Sequence, residues 1–162
     1  MLRYPDRTSI TGQVINDYLL RKFEIAPNSA SLLLAANLWE MQSQITNILT
    51  TTSKLLIMDR YVWSNIAYSV ARGMDREVNA KINQGLPSPD LIIFLDADPE
   101  IASRRAEFGN ERFDQVDFQR CVAASMHYLA DTSSIPILKI DGSLPPKEIA
   151  SLILDHIKPS LP

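Results

Sequence analysis

The sequence predicts an α/β fold, a parallel sheet flanked by helices. Apolar, β-rich runs at Leu55–Asp59, Leu91–Asp96 and Pro136–Asp141 each close on an aspartate. Helical periodicity fills the intervals, and these intervals of about 30 to 40 residues exceed the ~12 that a parallel crossover requires. An apolar run ending in a carboxylate reads as a strand whose last side chain reaches the ligand-binding edge of an open sheet.

Taken in order, the elements begin with a turn. Tyr4-Pro5-Asp6-Arg7-Thr8 precedes the first helix, and the proline fixes the backbone from which Arg7 projects. Ile10, Val14, Ile15, Tyr18 and Leu19 give one helical face, and Leu34, Leu38, Met41, Ile45 and Ile48 give a second. Both are expected to pack on the sheet. Gly85-Leu86-Pro87-Ser88-Pro89-Asp90 is a turn-rich link into the next strand. Asp98-Pro99-Glu100 has the order of an N-cap, a proline at the first helical position and an acid in the first turn. Phe118, Val122, Ser125, Met126 and Leu129 mark a further helix, and Ile149, Leu152, Ile153 and Ile157 follow Pro145-Pro146 as the last. No repeat, low-complexity tract or linker interrupts residues 1–162, so one domain is expected.

Composition narrows the function classes. The 162 residues are 46% hydrophobic, enough for a core, and a net charge of -3 argues against binding a nucleic-acid polymer. The single cysteine, Cys121, lies on a helix face and has no internal disulfide partner, which fits a reducing compartment. No apolar stretch approaches the ~20 residues that span a bilayer, and the N-terminus has no secretory pattern, so no membrane role is expected. Cytoplasmic location is the default, with nucleus and mitochondrion left open.

Chemistry concentrates in four places, each with a plainer reading beside it. Arg7 either meets an anion or is a solvated surface group. Asp59-Arg60-Tyr61 either places a phosphate-binding fork and a magnesium-organising carboxylate in the crevice, or forms an ion pair closing off the strand. Arg104, Arg105 and Arg112 flank Phe108-Gly109-Asn110-Glu111 and form either a phosphate-covering lid or an exposed charged face. Leu34, Asn37, Leu38, Trp39 and Glu40, with Tyr68 on a later helix, either hold a base or are core. His127 and His156 lack metal-ligand spacing. All five glycines lie outside any G-x-x-x-x-G-K-[ST] pattern, so the phosphate cradle that usually faces such an acid-arginine pair is not in this sequence.

The ordered motifs Leu2-Arg3-Tyr4-Pro5-Asp6-Arg7-Thr8, Gly12, Tyr18-Leu19, Leu32 to Glu40, Asp59-Arg60-Tyr61 with Ser64 and Ala67-Tyr68, Gly85 to Leu91, and Phe108-Gly109-Asn110-Glu111-Arg112-Phe113 resemble thymidylate kinase of the eukaryotic and poxviral kind. That resemblance implies a P-loop kinase-like sheet and transfer of the ATP γ-phosphoryl group to dTMP, with Mg2+ as cofactor and a homodimer as the usual assembly. It implies catalytic roles for Asp59, Arg60, Arg105 and Arg112, the carboxylate holding the metal through water. The acceptor would meet Tyr4, Arg7, Leu34, Leu38, Arg60, Ser64, Asn65, Tyr68 and Phe113. The nucleotide donor would meet Arg104, Arg105, Asp141 and Ser143, under a lid at about 104–113.

Three departures from the family pattern shape the expectations. Leu34 and Leu38 stand where relatives carry an aromatic ring and an arginine over the base. Asn65 stands where relatives tend to have glycine, and offers either a replacement amide or a crowded pocket. The strand, P-loop and helix that open the family's fold would precede Leu2, which implies an N-terminally incomplete chain whose sheet lacks its central strand and which alone is poorly stable or rearranged. Two functions follow: a dTMP kinase, or a non-catalytic nucleotide-binding or interaction protein derived from one. A kinase of altered base preference is a variant of the first.

Overall fold

Leu2 and Arg3 begin the fold as β1 (Leu2–Arg3), which pairs in parallel with β2 (Met58–Asp59), Leu2 opposite Met58 and Arg3 opposite Asp59. The computed structural model describes residues 1–52, 55–104 and 108–160. Between these strands run α1 (Ile10–Leu19) and α2 (Pro27–Thr51). Ser9 caps α1 by accepting the Gly12 N–H, and Pro27 opens α2, where its missing N–H costs nothing. Leu34, Leu38, Met41 and Ile45 line the buried stripe of α2, as their spacing predicts. They join Tyr4, Ile15, Tyr18, Leu19 and Ala30 in the principal core, against which Leu2 and Met58 pack. The face of α1 is narrower than expected, because Ile10 and Val14 are 82% and 42% exposed.

After β2 come α3 (Val62–Ala71) and α4 (Arg76–Ile82), then β3 (Ile92–Asp96), α5 (Pro99–Ala102) and α6 (Val116–Thr132). β4 (Ile137–Asp141), α7 (Pro146–Ile157) and a 3-10 turn at Lys158–Ser160 complete the chain. Asp98 caps α5 as predicted, accepting the Glu100 N–H at 2.7 Å. β3 and β4 pair in parallel from Ile92 opposite Ile137 to Asp96 opposite Asp141.

The strands correct one expectation. The run Leu55–Asp59 is a strand only over its last two residues, because β1 is itself two residues long and offers no longer ladder. Among the described residues the four strands form two two-stranded parallel sheets, β1 with β2 and β3 with β4. Exposure alternates along β3: Ile93 and Leu95 stay exposed while Ile92, Phe94 and Asp96 are half-buried. The covered face of β3 meets α6, Phe94 lying 5.4 Å from the His127 ring. The α7 stripe is likewise half-covered, with Ile149, Ile153 and Ile157 partly buried and Leu152 exposed. Among the described residues no helix is long and apolar enough to cross a membrane.

Candidate functional site

The site begins where β2 stops. Arg60 follows Asp59 with φ of +66°, a left-handed backbone that costs a non-glycine residue about 1 kcal/mol. Strain of this kind clusters at ligand-binding sites. The turn aims the Arg60 guanidinium at α3, where Nη1 donates to the Tyr68 hydroxyl at 3.2 Å and the group stacks 5.5 Å from the ring centre. Asp59 keeps a half-exposed carboxylate, one oxygen of which meets Arg3 Nε at 3.2 Å.

Arg7 is positioned by a polar clasp. Asn37 of α2 is fully buried; it accepts the Asp6 N–H at 2.8 Å and donates to the Asp6 carbonyl, Ser9 Oγ and Thr11 Oγ1 at 3.1, 2.9 and 2.9 Å. Glu40, one turn further along α2, accepts from the hydroxyls of Ser9 and Thr11, and those bonds hold its carboxyl below the usual range. The Thr8 hydroxyl and N–H hold Asp6 low in the same way. Gly12 completes the clasp, since a Cβ there would stand 1.7 Å from the Asp6 carbonyl oxygen.

The clasp aims Arg7 at Asn16 and Glu111. Arg7 donates to Asn16 Oδ1 at 3.0 Å and pairs with Glu111 Oε1 at 2.6 Å, and the charge of Glu111 also acts on Arg60. Glu111 thus holds Arg7 directly while its charge reaches Arg60, and the cleft around it suits an anionic group of a ligand.

An aromatic wall adjoins this cleft. Tyr68 meets Phe113 edge-on at 5.8 Å, Phe113 stacks on Phe118 at 4.8 Å, and Tyr18 meets Phe113 edge-on at 6.0 Å. Tyr18, Ile25, Arg72, Phe113 and Phe118 line a cavity of about 380 Å³. Flat rings around a cavity of this size suit a planar base.

The other candidates fall differently. Tyr4, Leu34 and Leu38 are core residues beneath the cleft; the Tyr4 hydroxyl donates to the Leu34 carbonyl at 3.2 Å, and burial pushes its pKa up. Ser64 is buried on α3, and the amide of Asn65 is engaged by Asn83 at 3.1 Å and Ser69 at 3.3 Å inside a polar ladder between α3 and α4. Arg112 is tied down: Nε donates to the Tyr18 carbonyl at 3.0 Å, Nη2 to the Phe23 carbonyl at 3.0 Å, and Glu24 takes both terminal nitrogens at 2.7 and 2.8 Å. In this state it closes the end of α1. Arg104 is exposed after α5, and Arg105 lies outside the described residues, as does part of the expected lid. Asp141 and Ser143 form a local turn past β4, the Ser143 N–H reaching the Asp141 carboxylate at 2.8 Å, and no described hydrogen bond or ion pair joins them to the Arg7 cleft.

Three residues escaped sequence reasoning in their actual roles. Asn37 and Glu40 hold the Arg7 turn instead of a base, and a polar pair one helical turn apart on an apolar stripe is the signal that points to it. Arg72 has no such signal, because an arginine before Gly73 reads as an ordinary cation at a helix end. Among the described residues no group of three or more His, Cys, Asp or Glu side chains is placed to hold a metal. Asp59 alone, half-exposed at the strand end, fits Mg2+, which commonly keeps several of its waters.

A family model described as Thymidylate kinase matches residues 1–153. The chain belongs to the thymidylate kinase family. It is 37% identical over 158 residues to the thymidylate kinase of Arabidopsis thaliana, covering 96% of this chain and 59% of that protein. Identity to the Schizosaccharomyces pombe thymidylate kinase is 34% over 164 residues, covering 97% of this chain and 76% of that protein. The chain thus spans about three fifths of the first relative and about three quarters of the second. The solved structure of the Candida albicans thymidylate kinase superposes with a TM-score of 0.80 at 29% identity, over 98% of this chain and 79% of that one. The thymidylate kinase match takes in both halves of the arginine cleft, Arg7 with its clasp and Asp59-Arg60 with Tyr68.

Proposed function

We propose that this protein transfers the γ-phosphoryl group of ATP to dTMP, giving dTDP for dTTP biosynthesis. The observation that carries the reading is that Arg7 is locked by its clasp onto Glu111, whose charge also acts on Arg60 at the end of β2, where Arg60 lies against Tyr68 of an aromatic wall. Phosphoryl transfer asks the protein chiefly to position anions and neutralise charge, and two fixed guanidiniums do that for an acceptor phosphate. In this reading Arg7 and Arg60 hold the dTMP phosphate, Tyr68 lines the base pocket and Phe113 lies near the sugar. Glu111 yields its place to the phosphate. Arg112 either stays on Glu24 or swings in with the lid, bringing Arg104 and Arg105. Asp141 and Ser143 take the adenine side. Asp59 would hold Mg2+ through water, and the bound ion would neutralise charge on the phosphates. A cytoplasmic homodimer is the proposed working form.

A second acceptor preference has its own support. Leu34 and Leu38 lie in the core under the cleft, and the Candida albicans thymidylate kinase is described as having broad substrate specificity. The experiment is a coupled assay of ADP formation from MgATP with dTMP, dUMP and dGMP in parallel. Turnover with dTMP above the other two supports the reading. Turnover greater with dUMP or dGMP shifts the acceptor, and no turnover above a blank with any of the three overturns it in favour of a non-catalytic nucleotide-binding or interaction protein.

A further inference from the structure

Gln119 lies near the start of α6, and its side chain reaches off that helix to two places at once. Nε2 donates to the Phe113 carbonyl at 2.9 Å and to the Tyr68 hydroxyl at 3.3 Å. A carbonyl can only accept, so the nitrogen end of the amide faces Phe113, and its second hydrogen is then available to Tyr68. Phe118, one residue earlier on the same helix, stacks on the Phe113 ring at 4.8 Å. Phe113 is therefore held to α6 through both its ring and its backbone.

The Tyr68 oxygen has a second donor. Arg60 Nη1 reaches it at 3.2 Å, and among the described hydrogen bonds it is the acceptor of that guanidinium. A guanidinium only donates, so the phenol oxygen accepts from both sides, from Arg60 and from Gln119. Contacts with Phe113 and Phe118, at 5.8 and 6.0 Å, fix the plane of the Tyr68 ring, and the amide fixes where its oxygen sits. Arg60 gains from such a stop, because its left-handed backbone, φ +66°, projects it from the end of β2. Phe113 lies two residues past Glu111, which pairs with Arg7 at 2.6 Å. One amide thus links the Arg60 guanidinium to the segment that engages Arg7.

We propose that Gln119 is a positioning residue: through the Tyr68 hydroxyl it sets the Arg60 guanidinium for the acceptor phosphate, and through the Phe113 carbonyl it ties the Glu111 segment to the same point. This role rests on the dTMP-kinase reading, in which Arg60 grips the phosphate, and adds a side chain that acts through Tyr68 rather than on the ligand. An arginine without its stop samples more rotamers, and binding then carries the entropy of ordering it. A hydrogen bond between neutral groups is a modest constraint, of the order that changes an affinity about threefold to tenfold.

The test is a double-substitution cycle, read by titration calorimetry of the whole protein with dTMP and with thymidine, for wild type, Gln119→Met, Tyr68→Phe and the pair. Methionine keeps the length and helical preference without the donor, and phenylalanine keeps the ring without the oxygen. Gln119→Ala takes the place of the methionine variant if that one does not fold. The preference for dTMP over thymidine is expected to fall roughly threefold to tenfold in each single variant, and no further in the pair than in Tyr68→Phe, because both changes remove one link. A merely structural glutamine would lower both affinities together and leave their ratio at the wild-type value. The wild-type ratio in a folded Gln119 variant or in Tyr68→Phe overturns the proposal, as does a pair whose loss is the product of the two single losses. Each of those results leaves the dTMP-kinase reading standing, whereas wild type that shows no preference for dTMP overturns both.

Discussion

From β1 to α4 the chain buries its side chains densely and threads them with hydrogen bonds, whereas from β3 to α7 it covers one face of each element and leaves the other to solvent. Among the described residues, the buried side chains after Asn83 are Val122, Ser125 and Ile140 alone. Before that point lie the α2 stripe, the Asn37 clasp and the ladder in which Asn65 pairs with Asn83 and Ser69. The division follows the chemistry proposed for each part. Guanidiniums that must meet a phosphate in one geometry gain from a backbone locked in advance, since misplacement of a positioning group costs rate steeply. The later part supplies the exposed Arg104, the tied-down Arg112 and the turn at Asp141 and Ser143.

Substitutions in the two regions should therefore differ in scale. Gly12→Ala strikes hardest: a Cβ 1.7 Å from the Asp6 carbonyl oxygen has no room. A loss of about 4 kcal/mol, seen as a melting point lower by roughly 10 °C, is expected. A melting curve like that of wild type would mean that the clasp yields easily. Asn37→Ala removes four bonds around the Arg7 turn and strands the Asp6 N–H, with an expected loss of about 3 kcal/mol by urea denaturation.

Glu40→Gln is a smaller and pH-dependent change. Hydroxyl bonds from Ser9 and Thr11 hold the folded carboxyl below its unfolded value, so its contribution is present above that unfolded value, near pH ~4.3, and is lost as pH falls through the folded one. The variant should be less stable than wild type by under about 1 kcal/mol at pH 7, and the gap should close as pH drops below about 4. A gap constant from pH 7 to 3 contradicts that origin. In the other region Ile93→Ser should cost only about 1 kcal/mol, because its side chain is already 37% exposed. A larger loss would show that β3 is covered in solution and would erase the contrast.

Much of this was legible in the residues. The α2 spacing, the Asp98 cap and the acid-arginine pair at a strand end all appear where local rules put them, because each depends on neighbours within a few positions. The short ladder between β1 and β2 was not, since strand length depends on a partner over fifty residues away. Nor was the left-handed Arg60 backbone, which no single-residue preference favours, or the reach of Arg72 across to Ser31, a contact between helices of different segments. Asn37 illustrates the middle case: its presence on an apolar stripe was visible, but its partners were set by the turn that folds over it.

The central claim is that Arg7 and Arg60 together grip an acceptor phosphate. Its most direct measurement compares the binding of dTMP with that of thymidine, which lacks the phosphate, for wild type and for Arg7→Gln and Arg60→Gln. The account predicts that wild type prefers dTMP by roughly a hundredfold or more, and that each variant loses about tenfold to hundredfold of that preference while its thymidine affinity is unchanged. Equal binding of the two ligands by wild type, or a preference that survives both substitutions, would contradict it.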